Sequence, residues 1–272
     1  MRSREKILSI ALILLSLQQD LAAQTSIPKT FLKDAAHVAG ATGYVLTSPL
    51  HWSGRDWANF GAVMGGSFAL SFLDEEVNDY LQRHRSSTAD KLADIGIEYG
   101  EPLTVVAFTG VVYFTGLLAR QERLRETAVI LTGTLLPTGA IQTVAKRAAG
   151  RARPHLGLGN DVFDPFRNEE AYYSFFSGHT MVAMATSHAF ARQFPHPVTK
   201  VVFYSLGALG GFARLYEEDH WLSDVVLGGA LAIVSVNSVS KWLERQKQGP
   251  AHGSLQWRVF AQRGGLGVEA TW

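Results

Sequence analysis

Two residues in the C-terminal third of the sequence, His220 and Asp224, are spaced for cooperative chemistry. They lie four positions apart in ARLYEEDHWLSDVVLGGA, so a helix would place both on the same face. A carboxylate that holds one ring nitrogen fixes the tautomer of a histidine and leaves the other nitrogen as a nucleophile. The spacing therefore predicts His220 as an attacking group and Asp224 as the residue that orients it.

A second histidine stands at the start of the apolar run SFFSGHTMVAM, residues 174–184. Ser177 is a favoured N-cap, and the free N–H groups at the start of a following helix bind anions. Gly178 lets the backbone approach a ligand closely, and His179 can exchange a proton with a leaving oxygen. Because a lone histidine beside an apolar run is more often a packed core residue, this interpretation depends on the other clusters.

A third cluster, KRAAGRARP, is basic. Lys146 and Arg153 are seven positions apart, or two helical turns, although Pro154 favours a bend at Arg153. Two long cations that converge at a helix end can clamp a phosphoryl group. The alternative is a basic flank of a membrane helix, and we assign that part to Arg147 and Arg151.

The three clusters occur in a fixed order, which is Lys146-x6-Arg153-Pro154, then Ser177-Gly178-His179, then Arg214-x5-His220-x3-Asp224. This order resembles the signature of the type-2 phosphatidate phosphatase and vanadium haloperoxidase superfamily. The six-helix layout extends the resemblance to roughly residues 50–245. Two positions depart from the family pattern: Phe176 replaces the usual Pro, and Ala213 replaces the usual Ser.

The resemblance implies that His220 attacks phosphorus to form a phosphohistidine, with Asp224 in support. His179 would protonate the leaving group and then activate water. The implied phosphate ligands are Lys146, Arg153, Arg214 and the N–H groups near Ser177 and Gly178. No metal or other cofactor is implied, and vanadate would act only as a phosphate mimic. The acidic run at residues 217–219 is interpreted as favouring the positive end of the next helix.

Composition excludes some classes of function. Charged residues make up 18% of the chain and the net charge is +1, which gives no broad electrostatic reason to bind nucleic acid. The chain has no cysteine, so disulfide and thiol chemistry are excluded. It also has no His-Glu-x-x-His pattern, and we expect no metal site.

Six apolar stretches predict an all-α bundle of about six core helices, embedded in a membrane. None alternates as a strand does, and their small residues permit close helix contacts in a bilayer, but several are shorter than a full span. A bundle buried in water would give a similar pattern. The stretches are Trp57–Leu73, Leu103–Ala119, Ala128–Ala145, Thr180–Ala191, Val201–Ala213 and Val225–Val239.

Loop charges predict the orientation. The basic segments 119–126, 192–200 and 241–247 would share one side of the membrane, and the acidic loop 73–101 would share the other with 146–179 and 214–224. We therefore expect a multi-pass protein of the bacterial inner membrane whose active site faces the periplasm. A soluble periplasmic bundle is the alternative.

The ends of the chain differ from the helical domain, residues 57–245. Residues 1–23 have the pattern of a secretory signal or anchor, and 24–56 are interpreted as an interfacial segment. Residues 254–272 alternate in polarity around Gly264-Gly265 and predict a small β-hairpin. A cleaved signal would invert a six-crossing bundle, so a retained anchor and a further crossing stay open.

We expect a metal-independent phosphatase that hydrolyses a phosphomonoester or pyrophosphate, and the partners we expect are a membrane and a phosphorylated lipid. Phosphatidate, phosphatidylglycerol phosphate and undecaprenyl pyrophosphate are representative substrates. The alternatives are a soluble periplasmic acid phosphatase of the same superfamily, a vanadate-dependent haloperoxidase, and a scaffold without activity.

Overall fold

The computed structural model describes residues 26–248 and two short strands near the C-terminus. These residues form nine α-helices, which are α1 (Ser26–Leu46), α2 (Gly54–Ser71), α3 (Asp74–Arg83), α4 (Ser87–Gly100), α5 (Pro102–Leu118), α6 (Glu122–Ala149), α7 (Gly178–Gln193), α8 (Pro197–Tyr216) and α9 (Leu222–Gln248). The strands are β1 (Gln256–Gln262) and β2 (Gly265–Thr271). The segment predicted as a signal or anchor, 1–23, lies outside the described residues.

All six apolar stretches are helical, which confirms the predicted all-α domain, and they correspond to α2, α5, α6, α7, α8 and α9. Three further helices were not predicted. The segment 73–101, expected to be an acidic loop, contains α3 and α4, and the interfacial segment 24–56 contains α1. Acidic side chains in the first turn of α3 favour its positive end, and Ser86 caps α4 by accepting from the N–H of Ala89. A search for long apolar runs misses helices that begin in this way.

Helix α7 lies at the centre of the bundle and packs against α4, α6, α8 and α9. Its side chains are buried along most of its length, and many of them are small, including Ala183, Ala185 and Ala189. Small residues let the neighbouring helices approach closely. The N-terminal end of α7, which carries His179, is therefore held on several sides.

Helices α4 and α5 meet at a bend of 58° between Gly100 and Pro102. Glu101 lies in the bend in an extended conformation, as a residue before proline prefers, and Pro102 occupies the first turn of α5. A side chain at Gly100 would lie 3.0 Å from the carbonyl oxygen of His179. The bend is therefore packed directly against the start of α7.

Two of the described helices, α6 and α9, are long and apolar enough to span a membrane, and α4 with α5 adds a third span if the bent pair counts as one. Helix α5 also exposes a row of large apolar side chains, namely Leu103, Val106, Val111, Phe114 and Leu118. An apolar surface of this kind marks contact with a membrane or a partner. The fold is that of a membrane protein, while its orientation stays a prediction.

Ion pairs gather two of the predicted basic segments at one end of the bundle. Arg125 donates to Asp34 at 2.7 Å, and Lys247 donates to Glu126 at 2.9 Å. Helix α6 runs from this end towards Lys146 at the other, so the basic segments and the motif clusters lie at opposite ends.

The segment predicted as a hairpin contains β1 and β2, which pair antiparallel with Gln256 opposite Thr271 and Gln262 opposite Gly265.

The packing of α4 against α8 should depend on Gly96. A Cβ there would overlap the carbonyl oxygen of Leu209 and lie 2.8 Å from the Cβ of Ala213. We expect Gly96→Ala to lower the free energy of unfolding by about 2 kcal/mol, as overpacking does. Gly110→Ala is the matched control, because a Cβ on that helical glycine meets nothing within 4 Å. Thermal unfolding in detergent measures both, and equal stability of the two variants would contradict this packing.

Candidate active site

The three motif clusters come together at one end of the bundle. Lys146 lies in the last turn of α6, and Gly150 ends that helix with a φ of 57°. A side chain at Gly150 would overlap the carbonyl of Asp164, so glycine is needed there for both its conformation and its size. The chain then turns through Arg153 towards the N-terminus of α7.

A single carboxylate joins two of the predicted phosphate ligands. Arg153 donates from Nη1 to Oδ1 of Asp219 at 2.8 Å, and Arg214 donates from Nη2 to Oδ2 of the same residue. Arg153 also reaches Oε1 of the exposed Glu170 at 3.4 Å. Asp219, interpreted from the sequence as a residue that favours the next helix, instead pairs with both guanidinium groups.

The two arginines have hydrogen-bonding capacity beyond that pair. Within residues 26–248, the Nε groups of Arg153 and Arg214 are buried and have no partner. Buried N–H groups are costly to leave unpaired, so an arrangement with spare donors favours an anion that has more oxygens than a carboxylate. A phosphoryl group, which has three non-bridging oxygens, meets that requirement.

Burial and the neighbouring charge of Arg153 lower the pKa of Arg214 to about 10. Burial likewise lowers the pKa of Arg153. Both groups stay protonated at neutral pH, and their mutual repulsion makes an anion between them necessary. Asp219 supplies that anion in the structure.

His220 is almost fully buried just before α9. Its Nδ1 lies 2.6 Å from the carbonyl oxygen of Ser174. A carbonyl can only accept, so Nδ1 carries the proton and Nε2 keeps a lone pair. Burial and the positive charges of Lys146, Arg214 and Arg153 hold the pKa of His220 well below its ordinary value. His220 is therefore a neutral imidazole with one nucleophilic nitrogen.

The predicted direct contact between Asp224 and His220 is wrong. Asp224 instead accepts from the hydroxyl of Ser174 at 2.6 Å, while the carbonyl of Ser174 binds the ring of His220. The rule that residues four apart share a face fails because His220 precedes the first turn of α9. Ser174 orients the ring, and Asp224 acts by holding Ser174.

Arg151, expected to be a basic flank, is buried. It donates to Asp74 at 2.7 Å and to Asp224 at 2.9 Å, so one guanidinium pairs with two buried carboxylates. Ser223 joins the same cluster through its hydroxyl. Arg147 is exposed, as a flanking residue should be. The sequence does not distinguish these two arginines, because the carboxylate partners of Arg151 are more than 70 residues away.

The N-terminus of α7 is organised by Ser177, which is fully buried and caps the helix at the N–H of Thr180. The N–H of Ser177 itself donates to the carbonyl of Asp224 at 3.1 Å. That N–H is therefore already paired, while the prediction of Ser177 as a phosphate ligand stays a prediction. The backbone N–H groups that remain for an anion begin at Gly178.

His179 is half-buried, and its Nε2 lies 3.1 Å from Oε2 of Glu101. Burial and the charge of Arg214 lower the pKa of His179, while the hydrogen bond to Glu101 raises it. Glu101 was not predicted, since it lies 78 residues before His179 in the sequence.

The two departures from the family pattern have structural explanations. Phe176 is buried in the hydrophobic core, and its ring meets that of Phe175 edge to face. Ala213 is fully buried and faces Gly96 across the contact between α4 and α8. Both positions are used for packing and neither provides a charge to the site.

The fold and the site together define a helical membrane protein with a cluster of cations at one end of the bundle and two histidines beside it. The family model described as the PAP2 superfamily matches residues 127–248, a segment that holds all three motif clusters. This match confirms the resemblance drawn from the motifs.

Two relatives with the name lipid A 1-phosphatase are similar to this chain. The protein from Rhizobium etli is 26% identical over 193 residues, which cover 66% of this chain and 80% of the relative. The protein from Rhizobium johnstonii is 37% identical over 97 residues, which cover 35% of this chain and 39% of the relative.

Two solved structures are also similar. LpxE from Aquifex aeolicus has a TM-score of 0.48 and 20% identity, over 62% of this chain and 95% of that one. A PAP2-type phosphatidylglycerolphosphate phosphatase from Bacillus subtilis has a TM-score of 0.48 and 14% identity, over 80% of this chain and 99% of that one.

The buried role of Arg151 can be tested against its exposed neighbour. Arg151→Met leaves Asp74 and Asp224 buried without their cation, and we expect it to lower the free energy of unfolding by about 3–5 kcal/mol. Arg147→Met should change it by less than about 0.5 kcal/mol, as surface substitutions do. Chemical unfolding in detergent compares the two, and similar values would show that Arg151 is also a flank.

Asp219 should compete with bound oxyanions. Asp219→Asn removes the charge that occupies the space between Arg153 and Arg214, so we expect inorganic phosphate to bind about fivefold more tightly, equivalent to about 1 kcal/mol. Titration calorimetry measures the affinity, with Asp161→Asn as a control at an exposed aspartate. Unchanged or weaker binding in Asp219→Asn would contradict competition.

Proposed function

We propose that this protein is a metal-independent phosphatase that hydrolyses a lipid phosphomonoester or pyrophosphate through a phosphohistidine. One observation carries the proposal: a buried, neutral histidine lies among the cations of Lys146, Arg153 and Arg214, two of which share a carboxylate where a phosphoryl group would bind. The names of the two relatives, lipid A 1-phosphatase, support the same class of reaction.

In the first step, Nε2 of His220 attacks phosphorus and the bond from phosphorus to the leaving oxygen breaks. His179, in its protonated form, gives that oxygen a proton, so the lipid leaves as an alcohol from a phosphomonoester or as a monophosphate from a pyrophosphate. The carbonyl of Ser174 stabilises the Nδ1–H of His220 while its ring becomes positively charged. The ring thus enters and leaves the reaction without changing its tautomer.

In the second step, His179 has lost its proton and accepts one from water. The water oxygen bonds to phosphorus, the phosphorus–nitrogen bond breaks, and inorganic phosphate leaves with His220 neutral again. Throughout both steps, Lys146, Arg153 and Arg214 neutralise the non-bridging oxygens. Phosphoryl transfer depends mostly on such positioning and charge neutralisation.

Asp219 must give up its place when the phosphoryl group binds. Its carboxylate pairs with both arginines, and a second anion between the same guanidinium groups would be repelled. We therefore infer that substrate displaces Asp219. Because the carboxylate keeps the two like charges together, both guanidinium groups are positioned to bind the oxygens of a phosphoryl group.

The substrate is proposed to be a lipid, because α5 exposes large apolar side chains and begins directly after Glu101, which contacts His179. The proposed location is the bacterial inner membrane with the site facing the periplasm. The exposed apolar surface favours a membrane-embedded phosphatase over a soluble periplasmic acid phosphatase. Because the two relatives have the name lipid A 1-phosphatase, we propose to test lipid A first, followed by phosphatidate, phosphatidylglycerol phosphate and undecaprenyl pyrophosphate.

The test is phosphate release from these lipids by detergent-purified protein in the presence of a chelator. We expect turnover of at least one, and loss of nearly all of it, by a factor of at least about 10³, in His220→Ala, since the nucleophile itself is removed. His155→Ala is the control, because that ring is exposed and bonds only the carbonyl of Glu218.

Acid-labile phosphoenzyme should form in the wild type and not in His220→Ala. Normal turnover in His220→Ala would overturn the assigned nucleophile. Dependence on an added metal would overturn the proposed class, and so would bromide oxidation in the presence of vanadate and peroxide without phosphatase activity.

A further inference from the structure

We propose that Glu101 is a positioning residue for His179, and that it keeps this histidine competent to protonate a poor leaving group. The inference rests on the proposed function, because it assigns His179 the role of acid. It adds a residue that lies outside all three motif clusters and outside the segment matched by the family model, 127–248.

The contact between Glu101 and His179 joins one carboxylate oxygen to one ring nitrogen. Oε2 of Glu101 lies 3.1 Å from Nε2 of His179, and within residues 26–248 it is the only hydrogen bond made by that ring. A carboxylate accepts, so Nε2 carries a proton when His179 is neutral. Nδ1 is then the nitrogen that can exchange a proton with substrate and water. Glu101 therefore selects which nitrogen does the chemistry.

The fold holds Glu101 in this place by three adjacent residues. Tyr99 contacts the hydroxyl of Ser187 at 3.0 Å and fixes the end of α4 to α7. Gly100 allows the backbone to lie against the carbonyl of His179. Pro102 then imposes the extended conformation on Glu101 and starts α5 in a new direction. The 58° bend thus places a carboxylate at the N-terminus of the central helix.

The charges around His179 explain why a carboxylate is needed. Arg214 on α8 and Lys146 on α6 both lower the pKa of His179, in addition to burial, and Glu101 from the bend between α4 and α5 raises it. Removing the negative charge would lower the pKa further. Less of the protonated form of His179 would then be present at neutral pH. As the pH is raised, the rate that depends on this form would begin to decline at a lower pH than in the wild type.

The leaving group provides a test of this role. An alkyl alcohol is a poor leaving group and needs a proton as its bond to phosphorus breaks, whereas p-nitrophenolate leaves readily without one. A change in the acid should therefore affect alkyl phosphates strongly and p-nitrophenyl phosphate weakly. A general disturbance of the site would slow both esters alike.

The variant is Glu101→Gln, which keeps the size and removes the charge. With dodecyl phosphate we expect kcat to fall by about tenfold or more, part of the 10²–10⁴-fold usual for acid catalysis, and its alkaline limb to move to lower pH. With p-nitrophenyl phosphate we expect a change of less than about twofold. Glu98→Gln is the matched control, because Glu98 is exposed in the last turn of α4, just before the bend, and its side chain bonds only Thr104.

Histidine NMR gives a readout that does not depend on turnover. The protein is labelled with ¹⁵N-histidine, and the His179 signal is assigned by its loss in His179→Gln. We expect Glu101→Gln to move the His179 titration to lower pH. Glu101→Asp keeps the negative charge and should therefore show a smaller shift. An unchanged titration, or equal losses on both esters, would overturn the role of Glu101. If wild-type protein turned over neither ester, the proposed function would fail, while the titration would still decide whether Glu101 tunes His179.

Discussion

The charge pairing of Arg153 and Arg214 with Asp219 is the interaction on which the site depends. Two partly buried guanidinium groups that share one carboxylate repel each other, and burial lowers the pKa of each. Asp219 offsets that repulsion by accepting from both guanidinium groups. The same repulsion favours phosphate binding, because a phosphate can replace the carboxylate and can also accept from the Nε groups, which Asp219 does not bind.

A second layer of paired charges lies behind His220. Arg151 pairs with Asp74 and Asp224, and Asp224 in turn holds Ser174, whose carbonyl fixes the imidazole. Broken pairs of this kind are costly in a buried environment. The layer therefore joins α3, the segment after α6 and the start of α9 into one support for the nucleophile.

Much of the site could be predicted from residue types and spacing. Lys146, Arg153, His179, Arg214 and His220 were all identified from the order of three short clusters, and the structure brings them to one end of the bundle. The spacing of His220 and Asp224 predicted a direct contact that the structure does not have, because the helix begins only after His220. A rule about helical faces gives the wrong partner when one of the two residues precedes the helix.

The residues that prediction missed are those whose partners are distant in the chain. Glu101 lies 78 positions from His179, and Arg151 lies 77 from Asp74. Nothing local marks Glu101 except the proline that follows it, which predicts a helix boundary and gives no information on what the boundary faces. Helices α3 and α4 were missed for a related reason: they are short and polar on one side. An acidic first turn favours α3, Ser86 caps α4, and both helices pack on α8.

The most direct test of the account is a structure of the protein with orthovanadate, a mimic of the phosphoryl group in transit. We expect vanadium bonded to Nε2 of His220, its oxygens bound by Arg153 and Arg214, and Asp219 displaced from between the two guanidinium groups. Vanadate bound elsewhere, with Asp219 still joining both arginines, would contradict it.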